Sequence, residues 1–320
     1  MNDLLVNIIL LVIFLVILVR GAIFAINSIE KVTKRSGISQ LAAGFVIVAV
    51  STSVPEISVA IFSTQTENVG ITLGDIFGSN VTNIGLVAAL FLFLSPIKKM
   101  QVKTTKSLFP LLIAASLIPL VLLLVQQGSK FVGIVLLATF AFFVYYMFKT
   151  NKMQSDEQRE QGSVYKPLFL FFVGIAIVVL SSKMIVDSAS SIAESTGIGQ
   201  SVIGATIIAL GTSLPELTVD IVAVRRRLLD LAIGDIIGSC ITNITLVLGL
   251  VLVLSPVEIN FGMLSTLISF AIGLPVILFV LVRNGHIHKW QSMVLFAIYL
   301  VFLVTIYEVQ TSIGNFMILR

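Results

Sequence analysis

Apolar stretches long enough to cross a lipid bilayer recur along the whole chain, and they constrain its fold more than any other feature. The first stretch, LLVNIILLVIFLVILV, covers residues 4–19. A helix needs about 20 mostly apolar residues to span the hydrocarbon core, where it satisfies its own backbone hydrogen bonds. With 57% hydrophobic and only 11% charged residues, the 320-residue chain also differs from a soluble domain. We therefore expect an all-α membrane protein.

Short polar breaks divide the apolar sequence into ten predicted transmembrane helices. The first stretch lacks a basic region before it and a small-residue cleavage site after it, so we expect a retained span and not a signal peptide. The longest polar break, TNKMQSDEQREQGS, follows the fifth span and predicts a linker. The predicted spans lie near residues 3–25, 38–64, 69–94, 107–126, 130–148, 167–190, 199–224, 231–254, 262–282 and 290–310.

Basic residues in the loops predict the orientation of these spans. If the N-terminus is outside, sixteen lysine and arginine residues lie in cytoplasmic loops, and only Lys130 and Arg320 lie on the other side. Positive residues accumulate on the cytoplasmic side of membrane proteins. We therefore expect a multi-pass protein of the cell membrane with both termini extracellular. Nothing in the sequence indicates a nucleic acid or a protein partner; the expected surroundings are the lipid bilayer.

The two halves of the chain repeat one another. A shift of 160 residues aligns 44–96 with 204–256, and 24 of the 53 positions are identical without a gap. Each half carries five predicted spans, so the second half enters the membrane from the opposite side. Inverted repeats of this kind are typical of secondary transporters, with the site near the midplane between the repeats. The predicted organisation is a first five-helix repeat over 1–149, a cytoplasmic linker over 150–163 and an inverted second repeat over 164–320.

A glutamate directly after a proline stands inside an apolar stretch of each half. Glu56 lies in STSVPEIS and Glu216 in GTSLPELT. An ionisable group costs at least ~2.5 kcal/mol at the centre of a bilayer and usually marks a functional site. Proline removes a backbone donor, so carbonyls of the preceding turn lose their helical partners. Carbonyl, hydroxyl and carboxylate oxygens are hard ligands that suit Ca²⁺ or Na⁺. We therefore predict broken core helices that share a cation site.

A second repeated motif, GDIFGSNVTNI and GDIIGSCITNI, adds more oxygen atoms. Ser79 and Asn83 are four residues apart, as are Ser239 and Asn243, so each pair shares one helix face. Its glycines allow close helix contact or local unwinding. Two glutamates from opposite halves can neutralise one divalent cation or be shared by several monovalent ions. That dual capacity is what an exchanger requires.

One acid at membrane depth breaks the repeat. Asp220 lies one turn after Glu216, and the equivalent position of the first half is Ala60. We expect Asp220 to face a water-filled cavity or to pair with Lys183. The single cysteine, Cys240, is expected to be a small packing residue.

GFVIVAVSTSVPE with GDIFGSNVTN, and GATIIALGTSLPE with GDIIGSCITN, resemble the paired alpha-1 and alpha-2 repeats of the cation/Ca²⁺ exchanger superfamily, and most of all its prokaryotic Na⁺/Ca²⁺ exchangers. The resemblance covers nearly the whole chain. It implies an ion-binding core made of spans 2, 3, 7 and 8, and a gating bundle of spans 1 and 6. It also implies a ligand set: the carboxylates of Glu56 and Glu216, the hydroxyls of Thr52, Thr212, Ser79 and Ser239, the backbone carbonyls of Ala49 and Ala209, and the amides of Asn83 and Asn243.

The chain departs from the family pattern at a few positions. Asp75 and Asp235 stand where the family commonly has asparagine, so both are candidates to titrate with protons or to pair with a polar neighbour. Asn243 stands where K⁺-dependent members typically carry aspartate, which argues against coupling to K⁺.

We predict a secondary antiporter that exports one Ca²⁺ against several Na⁺ and needs no cofactor. No P-loop or other hydrolytic motif occurs, so we do not expect an enzyme. An H⁺/Ca²⁺ antiporter on the same scaffold is the main alternative, with the two glutamates exchanging protons for the metal. A passive cation channel and a membrane scaffold or sensor remain further alternatives.

Overall fold

The structure, a computed structural model, describes residues 3–65, 69–95, 102–120, 127–150, 160–195, 209–254, 257–258 and 261–318. Helices make up nearly all of the described part, which confirms the all-α fold class. The first half contains α1 (Asp3–Ser36), α2 (Gln40–Ala42), the π-helix π1 (Ala43–Val48), α3 (Ala49–Thr52), α4 (Val54–Gln65), α5 (Val69–Thr82), π2 (Asn83–Val87), α6 (Ala88–Leu94), α7 (Val102–Leu117) and α8 (Lys130–Thr150).

The described part of the second half follows the same order, and the residues equivalent to α2 and π1 lie outside the described ranges. It contains α9 (Tyr165–Ser195), α10 (Ala209–Thr212), α11 (Leu214–Arg225), α12 (Leu229–Thr242), the π-helix π3 (Asn243–Val247), α13 (Leu248–Leu254), α14 (Phe261–Val282) and α15 (Lys289–Ile318). Two short strands, β1 (Gln127–Gly128) and β2 (Val257–Glu258), pair in antiparallel register, with Gln127 opposite Glu258 and Gly128 opposite Val257.

Seven helices of the described part are long and apolar enough to cross a membrane. The bent pair Gln40–Thr52 and Val54–Ile61 is an eighth candidate span. These eight correspond to predicted spans. The other two, predicted at 107–126 and 199–224, lie partly on residues outside the described ranges. The described part of the first contains the shorter apolar helix Leu108–Leu117, and that of the second contains α10 and α11. The count of ten therefore stays a prediction.

The first helix is longer than the sequence predicted. It was expected to end near residue 25, but it continues to Ser36. Ile26 and Ile29 are fully buried in this extension, while Glu30 and Lys34 form an ion pair of 3.0 Å on its other side. The polar residues that suggested a loop are therefore the exposed face of an amphipathic helix end.

The central helices of the two halves form the core. In the apolar windows of Leu73–Leu94 and Leu229–Leu254, 83% of the residues are buried, against 22% in Lys130–Thr150. Large apolar side chains such as Phe131 and Phe142 are exposed along α8. An exposed apolar face suits contact with lipid, so the repeated motifs lie at the centre of the fold and α8 lies at its periphery.

Glycines bring the backbones of the two halves into contact. A Cβ atom at Gly234 would lie 2.5 Å from the carbonyl oxygen of Leu41, and one at Gly238 would lie 2.6 Å from that of Phe45. A Cβ at Gly44 would lie 2.1 Å from the carbonyl oxygen of Leu231. The close helix contact expected of the motif glycines is therefore seen at Gly234 and Gly238, where α12 packs on α2, π1 and α3.

Helices α1 and α9, which begin the two halves, pack against each other along their length. Gly21 of α1 faces Ile177 of α9, and Gly174 of α9 faces Ala25 of α1, so the two helices run antiparallel. Helix α1 also packs against α11. This pair therefore borders one of the broken core helices, where the candidate site begins.

Candidate cation-binding site

Both core helices are broken at a serine two residues before the proline. Ser53 has φ −79° and ψ 11°, and Ser213 has φ −84° and ψ 2°, so neither is helical. The segments on either side of Ser53 differ in direction by 41°. The new helices α4 and α11 each carry a glutamate in the first turn, Glu56 and Glu216. The predicted breaks are thus confirmed.

The carbonyl that each proline leaves without a helical donor is that of the residue four positions earlier. In the second half this is Gly211, and the hydroxyl of Ser182 on α9 donates a hydrogen bond to its carbonyl oxygen over 2.6 Å. The position equivalent to Ser182 in the first half is Ala22, which has no donor. The two breaks therefore differ in how they are satisfied.

The two predicted backbone ligands already accept hydrogen bonds. The carbonyl oxygen of Ala49 lies 3.0 Å from the amide nitrogen of Ser53 and 3.3 Å from the hydroxyl of Thr52. The carbonyl oxygen of Ala209 lies 3.4 Å from the amide nitrogen of Ser213 and 3.2 Å from the hydroxyl of Thr212. A cation here would compete with hydroxyl groups that are free to rotate away.

Four carboxylates lie together at the centre of the protein. Glu56, Glu216 and Asp235 are 0% exposed and Asp75 is 1% exposed. Glu56 interacts electrostatically with Glu216 and Asp75, and Glu216 interacts with Asp235. The two glutamates of the repeated breaks are therefore buried close enough to interact with each other, and they do not face lipid.

Each of the four carboxylates has at least one oxygen atom without a hydrogen-bond partner among the described residues. The unpartnered atoms are Oε1 and Oε2 of Glu56, Oε2 of Glu216, Oδ2 of Asp75 and Oδ2 of Asp235. Burying an unpaired carboxylate is costly, and nearby like charges raise that cost. A bound cation removes both penalties, so the arrangement is suited to binding a positive ion.

Threonines from each break reach the aspartate of the opposite half. The hydroxyl of Thr212 donates to Oδ1 of Asp75 over 3.0 Å, and that of Thr52 donates to Oδ1 of Asp235 over 3.3 Å. Pairing with a polar neighbour was one of the two roles predicted for these aspartates, and these contacts confirm it. Their own helices contribute the hydroxyls of Ser79 and Ser239, each 3.4 Å from the aspartate four residues earlier.

Ser53, which the sequence analysis did not select, also joins the halves. Its hydroxyl lies 3.4 Å from Oε1 of Glu216. Ser213, its repeat partner, is 1% exposed, and its hydroxyl has no hydrogen-bond partner among the described residues. The signal was present, because the serine before each proline motif is identical in the two halves.

The asparagines of the second motif begin the π-helices. Asn83 opens π2 and Asn243 opens π3, and both are fully buried. Both amide atoms of Asn83 lack partners among the described residues, whereas Nδ2 of Asn243 donates to Oδ1 of Asn80 over 3.2 Å. Asn80 in turn donates to the carbonyl of Cys240 over 3.1 Å. Asn80 was not predicted as a site residue because the equivalent residue of the second half is Cys240 and not a second asparagine. Cys240 itself is buried, as expected.

The repeat-breaking acid, Asp220, belongs to the same cluster. It is 1% exposed and interacts electrostatically with Asp235 and Glu216. Neither of its carboxylate oxygens has an N–H or hydroxyl donor among the described residues, and its side chain lies within hydrogen-bonding reach of the carboxyl group of Asp235. The predicted pairing with Lys183 is wrong, because the lysine side chain points to the exposed side of α9 while Asp220 points inward.

The chemistry of this set is that of hard oxygen ligands. Within the described ranges, no three His, Cys, Asp or Glu side chains are placed to hold a metal ion by themselves. A cation would therefore combine carboxylates with the hydroxyl and amide oxygens around them. Such mixed oxygen sets suit Ca²⁺ and Na⁺ and disfavour soft metals.

Sequence comparisons match the chain to membrane exchangers in both halves. The family described as sodium/calcium exchanger protein matches residues 6–149 and 166–308. The sodium/calcium exchanger MaX1 of Methanosarcina acetivorans is 29% identical, covering 95% of this chain and 99% of the relative. The putative antiporter CaxA of Alkalimonas amylolytica is 32% identical, covering 76% of this chain and 79% of the relative.

Solved structures show the same fold. A structure of the sodium-calcium exchanger NCX_Mj soaked with 2.5 mM Na⁺ and 0.1 mM Sr²⁺ has a TM-score of 0.81 and is 26% identical. The similarity covers 94% of this chain and 99% of that one. The same exchanger soaked with zero Na⁺ and Ca²⁺ has a TM-score of 0.78.

Proposed function

Because the chain belongs to the sodium/calcium exchanger family, we propose that it is a secondary antiporter that exchanges several Na⁺ for one Ca²⁺ by alternating access. As a family member it is a multi-pass membrane transporter that exchanges cations against Ca²⁺, and it is not an enzyme. Coupling to Na⁺, the number of Na⁺ ions and export of Ca²⁺ are the parts that we propose.

One observation carries this proposal: the two glutamates of the repeated breaks meet in a buried cluster whose hydroxyl donors cross between the halves. Glu56 and Glu216 interact, while Thr212 and Thr52 contact the aspartates of the opposite halves. A site built from both halves changes whenever the halves move relative to each other. Such a site supports alternating access, because the motion that opens it to one side alters its ligands.

The proposed ligands are assigned to the two kinds of transported ion, Ca²⁺ and Na⁺. Two glutamates supply the charge to neutralise one Ca²⁺, and the same carboxylates balance Na⁺ ions when Ca²⁺ has left. The hydroxyl and carbonyl groups at the breaks supply neutral oxygens for Na⁺, and the buried asparagines lie beside the centre. The proposed set is Glu56, Glu216, Thr52, Thr212, Ser79, Ser239, Asn83, Asn243 and the carbonyls of Ala49 and Ala209.

The proposed topology has ten spans in two inverted five-helix repeats, over 1–149 and 164–320, joined by a cytoplasmic linker over 150–163. Separate family matches to 6–149 and 166–308 support the division. The antiparallel packing of α1 with α9 also supports it, because equivalent helices of inverted repeats run in opposite directions. We place the protein in the cell membrane with both termini outside, on the distribution of basic residues.

The membrane potential adds to the sodium gradient in this exchange. Each elementary charge that moves inward across 100 mV releases ~2.3 kcal/mol. Three or more Na⁺ entering for each Ca²⁺ that leaves would carry net positive charge inward. The proposed direction is therefore Ca²⁺ export.

A second candidate, H⁺/Ca²⁺ exchange on the same scaffold, is favoured by one observation. Asp75 and Asp235 lie within the site and not beside it, so the cluster holds more carboxylates than one Ca²⁺ needs. Extra acids are suited to carrying protons. The hydroxyl groups that crowd both aspartates favour Na⁺, since proton exchange has no need of neutral oxygen ligands.

Uptake of ⁴⁵Ca²⁺ into proteoliposomes decides between these functions. We expect vesicles loaded with Na⁺ and diluted into Na⁺-free medium to accumulate ⁴⁵Ca²⁺, with the potential clamped by K⁺ and valinomycin. A pH gradient without Na⁺ is expected to drive none. Uptake driven by the pH gradient alone would establish the proton exchanger, and Ca²⁺ flux without any counter-ion would establish a channel. Ser116→Ala is the control, since the hydroxyl of this buried serine on α7 bonds, in the described part of the chain, only its own helix.

A further inference from the structure

One turn beyond each glutamate, the two halves differ in charge at a buried position. Asp220 of α11 and Ala60 of α4 occupy equivalent positions of the repeat, and each is 1% exposed. A methyl group at this depth needs no partner. A carboxylate at the same depth needs a proton, a donor or a cation.

Asp220 has no N–H or hydroxyl donor among the described residues. Its side chain lies within hydrogen-bonding reach of the carboxyl group of Asp235, and its other electrostatic neighbour, Glu216, is also an acid. The nearest cationic residues along α11 lie at its end. Of these, Arg226 pairs with Glu30 at 4.0 Å and also contacts Asn27, so it points to α1.

Asp220 also lies to one side of the central glutamates, Glu56 and Glu216, along its helix. It lies four residues after Glu216, which is about 6 Å along a helix, toward the turn between α11 and α12. Ala60 lies the same step after Glu56, toward the C-terminal end of α4, which is the equivalent end of its own helix pair. In the proposed inverted topology these steps lead to opposite sides of the membrane.

We propose that Asp220 and Asp235 hold a Ca²⁺ ion at a second position, between Glu216 and the α11–α12 turn, on one side of the membrane only. The side chains of Asp220 on α11 and Asp235 on α12 lie close enough to interact, and together their two charges would neutralise a divalent cation. Hydroxyls around Asp235 supply neutral oxygens, because Thr52 and Ser239 lie 3.3 and 3.4 Å from its Oδ1. This inference rests on the proposed function, because a transported Ca²⁺ ion would occupy the second position before or after the central one.

Equilibrium binding of ⁴⁵Ca²⁺ to the purified full-length protein in Na⁺-free buffer tests the second position. We expect Asp220→Ala and the isosteric Asp220→Asn to bind one Ca²⁺ fewer per chain than the parent protein at saturation. Both should keep the Ca²⁺ that depends on Glu56. Ser116→Ala is the matched control and should bind as the parent does. Equal saturation of the parent and both Asp220 variants would overturn the proposal.

Thermal unfolding without Ca²⁺ separates a binding role from a structural one. If Asp220 serves only to bind a cation, its replacement removes an unpaired buried charge, so the unfolding midpoint should stay equal or rise. A lower midpoint for both variants would show a structural role and would overturn the proposal. Failure of Na⁺-driven uptake in the parent protein, with one Ca²⁺ lost from the Asp220 variants, would instead refute the proposed function and leave this binding position standing.

Discussion

The hydroxyl of Thr212 donates a hydrogen bond to Oδ1 of Asp75 over 3.0 Å, although the two residues are 137 positions apart in the chain. Thr212 ends the short helix before the second break, and Asp75 lies on a core helix of the first half. Thr52 and Asp235 form the reciprocal contact over 3.3 Å. The site is therefore held by bonds that exist only when the halves are assembled.

Thr212→Val is expected to weaken Na⁺ binding. A hydrogen bond to a charged group contributes about 1.5–3 kcal/mol, and about 1.4 kcal/mol corresponds to tenfold in affinity, so we expect at least a tenfold loss. The measurement is the Na⁺ concentration for half-maximal inhibition of ⁴⁵Ca²⁺ binding. Thr245→Val is the control, because Thr245 is also buried and, among the described residues, its hydroxyl bonds only the carbonyl of Ile241 in the preceding turn. Equal effects of the two variants would contradict the assigned role.

Glu56→Gln and Glu216→Gln are each expected to abolish Ca²⁺ transport. Each change removes half of the charge that balances Ca²⁺ at the centre while leaving the shape of the side chain nearly unchanged. The measurement is ⁴⁵Ca²⁺ uptake under an outward Na⁺ gradient. Glu160→Gln is the control, since Glu160 is half exposed in ion pairs with Lys34 and Arg35, and such pairs contribute about 0–1 kcal/mol. Uptake retained in Glu56→Gln would refute the central role of this carboxylate.

Asp75→Asn and Asp235→Asn separate sodium from proton coupling. Asparagine keeps an oxygen that accepts the threonine hydroxyl, but it cannot carry a proton. We expect both variants to retain Na⁺-driven uptake of ⁴⁵Ca²⁺, measured across external pH values between 6 and 8 in roughly one-unit steps. Loss of all uptake in both variants, with intact folding, would favour the proton exchanger.

Ser182→Ala is expected to destabilise the second break. The carbonyl of Gly211 would lose the donor that replaces the missing amide of Pro215, and an unsatisfied buried acceptor costs about 1–3 kcal/mol. We expect a lower midpoint of thermal unfolding in detergent. Ser181→Ala is the control, because this adjacent serine is also buried and its one hydrogen bond within the described ranges is to Ile177 of its own helix. A midpoint that falls equally in both variants would show that the contact with Gly211 has no special role.

Gly238→Ala is expected to disrupt the contact between the halves. The added Cβ would lie 2.6 Å from the carbonyl oxygen of Phe45 and 2.8 Å from Cβ of Ala49, so the backbones would have to separate. We expect loss of folded protein, measured by size-exclusion chromatography in detergent. Gly273→Ala is the control: no described atom lies within 4 Å of its added Cβ, and alanine stabilises a helix by roughly 0.5–1 kcal/mol. A folded and active Gly238→Ala protein would contradict the close packing.

Much of the site could be predicted because its signals are local and doubled. The proline before Glu56 and Glu216 predicted both breaks, since proline acts on its own turn. The motif glycines predicted close contact at Gly234 and Gly238. The end of α1 was predicted near residue 25 and lies at Ser36, because an amphipathic helix end has the amino-acid composition of a loop.

The amino-acid sequence by itself determined the membrane class, the duplication, the broken helices and the central glutamates, because these depend on apolar length, repeated motifs and local backbone chemistry. Only the tertiary structure decided which groups meet. Asp75 and Asp235 are part of the site because threonines of the opposite half donate hydrogen bonds to them. Asp220 lies near Asp235 and Glu216 and does not pair with Lys183. The physical reason is that contacts across the two halves depend on how the helices pack, and residues that meet there are more than a hundred positions apart in the chain.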